Sequence, residues 1–177
     1  MSRVNLDTQR SPAASQPLLA QIHGAFGATP NMFKAVSNSP AALQSMWAAF
    51  GALGKGSIGA LLGEQIAVAI ANRNRCEYCL AAHTVLGQNA GASAEQMGEA
   101  QVGRSTDVNT AAALAFALKV VEQRAQVGDA DVAALREAGF GDEQVVEIMA
   151  HIALNLFTNY VNVAFDVPVD FPKIALK

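Results

Sequence analysis

Apolar residues recur at helical spacing along nearly the whole chain and almost nowhere alternate with the period of two that marks a strand. Leu18, Leu19, Ile22 and Phe26 form one stripe over Ser15 to Phe26, ended by Gly27-Ala28-Thr29-Pro30. Pro30 opens a short helix through Val36, which Ser37-Asn38-Ser39-Pro40 stops. Pro40 to Leu53 reads as a helix with Ser39 at the N-cap and proline at its first position. After Gly54-Lys55-Gly56, a helix from Ser57 to Arg73 buries Leu61, Leu62, Ile66, Ala69 and Ile70. Asn74 is the expected N-cap of the next, Arg75 to Asn89, with Gly91 closing it.

Further helices follow over Ala94 to Val102, Asp107 to Val127, Ala130 to Ala138 capped by Asp129, and Asp142 to Ala164. Asp166 to Pro172 leaves the last of them as an extended tail. No hairpin dipeptide sits between alternating runs, and β-branched residues are scattered. The expected fold is all-α, a single-domain helical bundle. Residues 1–40 would form an N-terminal arm of short helices and residues 41–177 the helical domain.

Composition adds a constraint on assembly. Apolar residues make up 51% of the 177-residue chain and charged residues 15%, whereas a soluble domain carries about a quarter charged. The surplus apolar surface needs cover, and subunit contacts in a homo-oligomer are the expected cover. Tail residues Val167 to Pro172, apolar and extended, are candidates to cross onto a neighbour. A membrane span is not expected, because the longest candidate, Ile152 to Val169, is broken by Asn155, Asn159, Asn162, Asp166 and Pro168. A net charge of −3 with dispersed Lys and Arg gives no basic patch for nucleic acid. No apolar run follows Arg3, Asp7 and Arg10 at the N-terminus, so a cytoplasmic location is expected.

The candidate chemistry lies in Cys76-Glu77-Tyr78-Cys79-Leu80-Ala81-Ala82-His83, which holds both cysteines and one of three histidines. On a continuous helix, Cys79 and His83 lie about 60° and about 20° from the direction of Cys76. Two thiols able to close into a disulfide, one turn from an imidazole, form a redox constellation. Helix N-terminal amides stabilise a thiolate, Arg73 and Arg75 stand just upstream, and His83 can accept a proton from Cys79. Glu77 opposes this but points to another side of the helix.

Glu64 is the one acid in an otherwise apolar helix. An acid beside a buried stripe needs a partner, and an imidazole from the next helix would serve. Other readings use the same residues. Zinc could be held by Cys76, Cys79 and His83 with Glu64, His23 or His151 as a fourth ligand, or two buried cysteines could be purely structural. His151, Asn155, Asn159 and Asn162 share a face of the last helix, either as a polar pocket lining or as a packing or subunit seam in which amides satisfy one another. Met46, Trp47 and Phe50 read as core.

Glu64, then Cys76, Cys79 and His83 at this spacing, resembles the motif of the AhpD-like alkylhydroperoxidases in the carboxymuconolactone decarboxylase superfamily. The run from His151 to Pro172, with Asn155, Asn159, Asn162 and Asp170-Phe171-Pro172, is similar to the longer peroxidase-related branch. The resemblance implies an AhpD-like helical bundle and a thiol-dependent peroxidase that needs no cofactor. It implies Cys79 as peroxidatic thiol, Cys76 as resolving thiol, and a His83–Glu64 proton relay. The implied partners are a hydroperoxide substrate and a dithiol protein or small-thiol reductant, with assembly as a homo-oligomer. Tyr78 stands where the best-known members have a second histidine. The same dithiol also suits a disulfide reductase or redox sensor. A lactone decarboxylase would need an acid/base but no thiol pair.

Overall fold

The structure, a computed structural model, describes residues 2–177. It is all-α, with no strand among the described residues. Two 3-10 turns, Thr8–Arg10 and Ala13–Ser15, precede α1 (Gln16–Phe26), α2 (Asn31–Val36), α3 (Pro40–Leu53), α4 (Ala60–Arg73) and α5 (Glu77–Asn89). Then come α6 (Ala94–Ala100), α7 (Val108–Glu122), α8 (Asp129–Glu137) and α9 (Asp142–Ala164). Gly27, at φ 72°, ends α1 in the left-handed conformation that glycine adopts without strain, and its N–H donates to His23 O at 2.8 Å.

Helix α4 is the centre. It packs against α5, α6, α7 and α9, and Ile66 through Ala71 are buried on every side of it. A helix apolar all round is an interior helix. Each fully buried Ile or Leu there contributes roughly 1.5–3 kcal/mol of transfer free energy. Alanines at 67, 69 and 71 and Gly63 keep its surface low, so neighbours approach closely. Beneath Gly63 lies the His151 ring, whose Cε1 is 2.9 Å from where a Cβ would stand. The N-terminal elements pack on α3 and α9.

Several element ends differ from the sequence expectation. Helix α4 begins at Ala60, because the amides of Ser57 and Ile58 are taken by Glu147 at 2.8 and 3.1 Å. Helix α7 stops at Glu122, where Arg124 and Ala125 turn left-handed at φ 51° and 63°. Helix α5 begins at Glu77, with Cys76 rather than Asn74 as its N-cap. Nor does the tail leave the subunit. Val167 is buried, Asp170 Oδ2 accepts from Asn31 N at 2.8 Å, and Lys177 N donates to Asn72 Oδ1 at 2.9 Å.

Candidate active site

The link from α4 to α5 places the first cysteine. Arg75, at φ 57°, turns the chain left-handed, and Cys76 N reaches back to Ala71 O at 2.9 Å. This is the six-to-one bond of a Schellman ending, built with Arg where glycine is usual. Cys76 therefore enters extended, at φ −89° and ψ 90°, and its sulfur accepts from Cys79 N at 3.2 Å. A continuous helical face holds only for Cys79 and His83. Cys76 meets Cys79 from the cap position instead, with Cα atoms 5.4 Å apart and a disulfide between them. Both sulfurs stand at the N-terminal end of α5, where unpaired amides favour negative charge.

Glu64 and His83 come together as the apolar helix around Glu64 requires. His83 Nδ1 and Glu64 Oε2 are 2.7 Å apart, with side chains 10% and 22% exposed. An ionised carboxylate only accepts, so in that state Nδ1 carries the proton and Nε2 is left for chemistry. Gly87 on α5 makes room for the Met97 side chain, which a Cβ there would meet first, while the Glu64 Cβ would lie at an ordinary contact distance of 3.4 Å.

Glu64, Cys79 and His83 line one pocket of about 110 Å³. Further walls come from the N-terminal elements, α3 and the tail: Phe26, Met32, Phe33, Trp47, Phe50 and Phe171. Trp47 and Phe50, which read as core in the sequence, each pack against the Phe33 ring, with centroids 5.7 and 5.9 Å away. Tyr78 ties these walls together. Its hydroxyl accepts from Met32 N at 3.2 Å, and its ring meets Phe171 edge-on at 5.7 Å. Burial raises the Tyr78 pKa far above the usual phenol value, so this residue is no base in the physiological range.

The asparagine stripe of α9 faces inward. Asn155, Asn159 and Asn162 are buried within the subunit, and they do not satisfy one another. Asn159 Oδ1 accepts from Asn74 Nδ2 at 3.1 Å and Asn155 Nδ2 donates to His151 O at 2.9 Å. Asn162 Nδ2 donates to Cys79 Sγ at 3.2 Å. A disulfide sulfur has no proton to give, so the amide nitrogen is the group that must face it. Buried Oδ1 atoms of Asn155 and Asn162 have no partner.

Burial lowers the His151 pKa, against the opposing pull of Glu147 and Glu64, and His83 lowers it further. Burial also disfavours ionisation of Glu147, but hydrogen bonds from Ser57 and Ile58 outweigh it and hold that carboxyl below its usual value. His23 sits exposed on α1, 3.5 Å from Thr29 Oγ1. Among the described residues no group of three or more His, Cys, Asp and Glu is arranged to hold a metal ion.

Residues 40–123 match the carboxymuconolactone decarboxylase family, and Glu64, Cys76, Cys79 and His83 all lie in that segment. No curated protein matches the chain significantly. Among solved structures, an uncharacterized peroxidase-related protein with an alkylhydroperoxidase AhpD core from Ralstonia eutropha JMP134 is 25% identical. That match covers 96% of this chain and 92% of the other, with a TM-score of 0.84. An uncharacterized peroxidase-related protein from Silicibacter sp. TM1040 is 24% identical over 98% and 92% of the two chains, with a TM-score of 0.82. A cysteine-to-alanine variant of the debrominase Bmp8, in complex with 2,3,4-tribromopyrrole, shares the fold at 20% identity, with a TM-score of 0.79 over 96% and 94%. No helix among the described residues is long and apolar enough to cross a membrane.

Proposed function

We propose, from the match of residues 40–123 to the carboxymuconolactone decarboxylase family, that the chain is a thiol-dependent peroxidase acting on organic hydroperoxides. In the reduced enzyme the Cys79 thiolate attacks the distal oxygen of ROOH, and the O–O bond breaks. His83 delivers a proton so that the alkoxide leaves as ROH, and Cys79 is left as a sulfenic acid. The Cys76 thiol condenses with it, releasing water and forming the disulfide. A dithiol reductant then exchanges twice with that disulfide, is itself oxidised, and returns both cysteines to thiols. Glu64 fixes the His83 tautomer and supports its charged form, as orienting acids do in other base–orienter pairs.

The observation that carries this reading is the placing of a Cys79 sulfur and a Glu64-paired His83 in one pocket with aromatic walls. Peroxide consumption coupled to dithiol oxidation tests it. Turnover is expected for the native chain, none for Cys79→Ser, and a single oxidation to sulfenic acid for Cys76→Ser. A native chain whose dithiol is not oxidised by hydroperoxide would remove the reading.

The same walls favour one second reading. Flat aromatic rings lining Cys79 also suit a halogenated heteroaromatic like the one Bmp8 binds. Release of bromide from 2,3,4-tribromopyrrole, with no oxidation by hydroperoxides, would put dehalogenation first.

A further inference from the structure

Asn162 lies outside the segment that matches the family. Its side chain nevertheless contacts the proposed peroxidatic sulfur. The residue is 3% exposed. Nδ2 donates to Cys79 Sγ at 3.2 Å, and Oδ1 is buried without any partner. Asn162 is also part of the pocket wall that holds Glu64 and His83. A buried carbonyl oxygen left unpaired is destabilising, and natural structures keep such groups sparingly. Asn162 differs from Asn155, whose Oδ1 is also unpartnered, in lining the pocket of Cys79 and His83, where an entering donor can meet it.

We propose that Asn162 is a further catalytic residue, whose amide spans the reacting pair: N–H to the Cys79 sulfur and C=O to the O–H of the hydroperoxide. The proposal rests on the peroxidase reading above. In the reduced enzyme the N–H hydrogen bond stabilises the Cys79 thiolate. The O–H of ROOH donates to Oδ1, which sets the distal oxygen beside that sulfur. When the S–O bond forms and the O–O bond breaks, the hydroxyl proton stays on the transferred oxygen. The sulfenic acid therefore keeps the same hydrogen bond to Oδ1, while the alkoxide takes its proton from His83. Attack by Cys76 then expels this oxygen as water, again protonated through His83, and restores the sulfur contact seen here.

The two halves of the amide can be tested apart, in a Cys76→Ser background that leaves one thiol. Iodoacetamide alkylation across pH reads the thiolate alone, since that reagent has no O–H to place. Oxidation by cumene hydroperoxide, at a pH where alkylation has reached its plateau, reads the carbonyl. For Asn162→Ala the alkylation midpoint is expected to rise by about one to two pH units, the effect of losing a hydrogen bond to a charged group. On the plateau, alkylation is expected to match the parent while peroxide oxidation stays about tenfold or more slower.

Other charges about Cys79 are unchanged by this substitution. They are His83, Glu77 and Arg75 around α5, Glu64 from α4, His151 from α9, and Asp166 and Asp170 of the tail. Asn162→Asp provides the near-isosteric variant should alanine not fold. It keeps an oxygen acceptor but loses the donor and adds charge, so its midpoint should rise at least as far. An unshifted midpoint in both variants overturns the thiolate half. Equal peroxide rates on the plateau overturn the carbonyl half and return Oδ1 to a water. If the parent is alkylated normally but never oxidised by peroxide, the peroxidase reading itself has failed, and the alkylation result stands separately.

Discussion

Glu64→Gln and Glu64→Ala separate the charge of Glu64 from its hydrogen bond. The 2.7 Å contact between Oε2 and His83 Nδ1 is mostly removed from water, with the two side chains 22% and 10% exposed. A hydrogen bond to a charged group in such a setting contributes about 1.5–3 kcal/mol. If that interaction strengthens when His83 carries charge in the transition state, its full loss slows oxidation by about 10- to 150-fold. Alanine removes all of it and leaves Nδ1 without a partner. Glutamine preserves volume and an oxygen acceptor, and a neutral hydrogen bond retains about half the strength of a charged one. Its expected loss is therefore about 0.75–1.5 kcal/mol, or roughly 4- to 13-fold. The assay is stopped-flow oxidation of the dithiol form by cumene hydroperoxide, with urea unfolding run alongside to remove any variant that has lost its fold. Native rates in the glutamine variant, or equal losses in both, would refute the charged-relay argument.

Three more outcomes follow from packing and charge. Gly63→Ala would put a Cβ 2.9 Å from His151 Cε1, so overpacking should cost about 1–3 kcal/mol in urea unfolding. Gly51→Ala, with nothing within 4 Å of its new Cβ, should instead stabilise by about 0.4–1 kcal/mol; the same sign for both would contradict the packing reading. Glu147 has its folded-state pKa lowered below 4.5, so its contribution is present above the unfolded value and is lost as pH falls through the folded one. Glu147→Gln should thus be less stable at neutral pH, by under about 1 kcal/mol after solvent screening. That gap should close on acidification below pH 4.5, and a gap that widens in acid would have the wrong sign. Finally, Val146, Phe157, Tyr160 and Val163 are exposed along the outer side of α9 as a helical stripe suited to another subunit. Light scattering should give a mass well above the 18.4 kDa chain, and Phe157→Lys with Tyr160→Lys should lower it. A native monomer at micromolar concentration would remove the assembly argument.

What was legible in the sequence follows the range over which local rules act. Cys79 and His83 are one helical turn apart, so the α-helix alone brings them to one face. Glu64 was legible by its isolation, since a lone acid beside a buried stripe demands a partner, and α5 packs on α4 where that partner must lie. Cys76 shows where the helical rule fails. The spacing was right, but a left-handed Arg75 ends α4 so abruptly that Cys76 becomes a cap rather than the first turn of a helix. Nothing in Asn74-Arg75 announces such a turn, because glycine is its usual signal.

The limits are sharper for residues whose partners are distant in sequence. Asn162 meets Cys79 across 83 positions, and periodicity could say only that it shares a face with Asn155 and Asn159, not what that face meets. Trp47 and Phe50 raise the same difficulty in apolar form. Helical spacing identifies residues that leave water but cannot tell a core from the wall of a pocket, because both remove the same surface. The difference is made by Phe26, Met32 and Phe33, which the packing of α1 and α2 onto α3 and α9 brings into the pocket of Cys79. The two sulfurs and the imidazole are thus encoded locally, in one short segment. Their pocket, and the amide that contacts the sulfur, depend on chain ends that only the tertiary fold brings together.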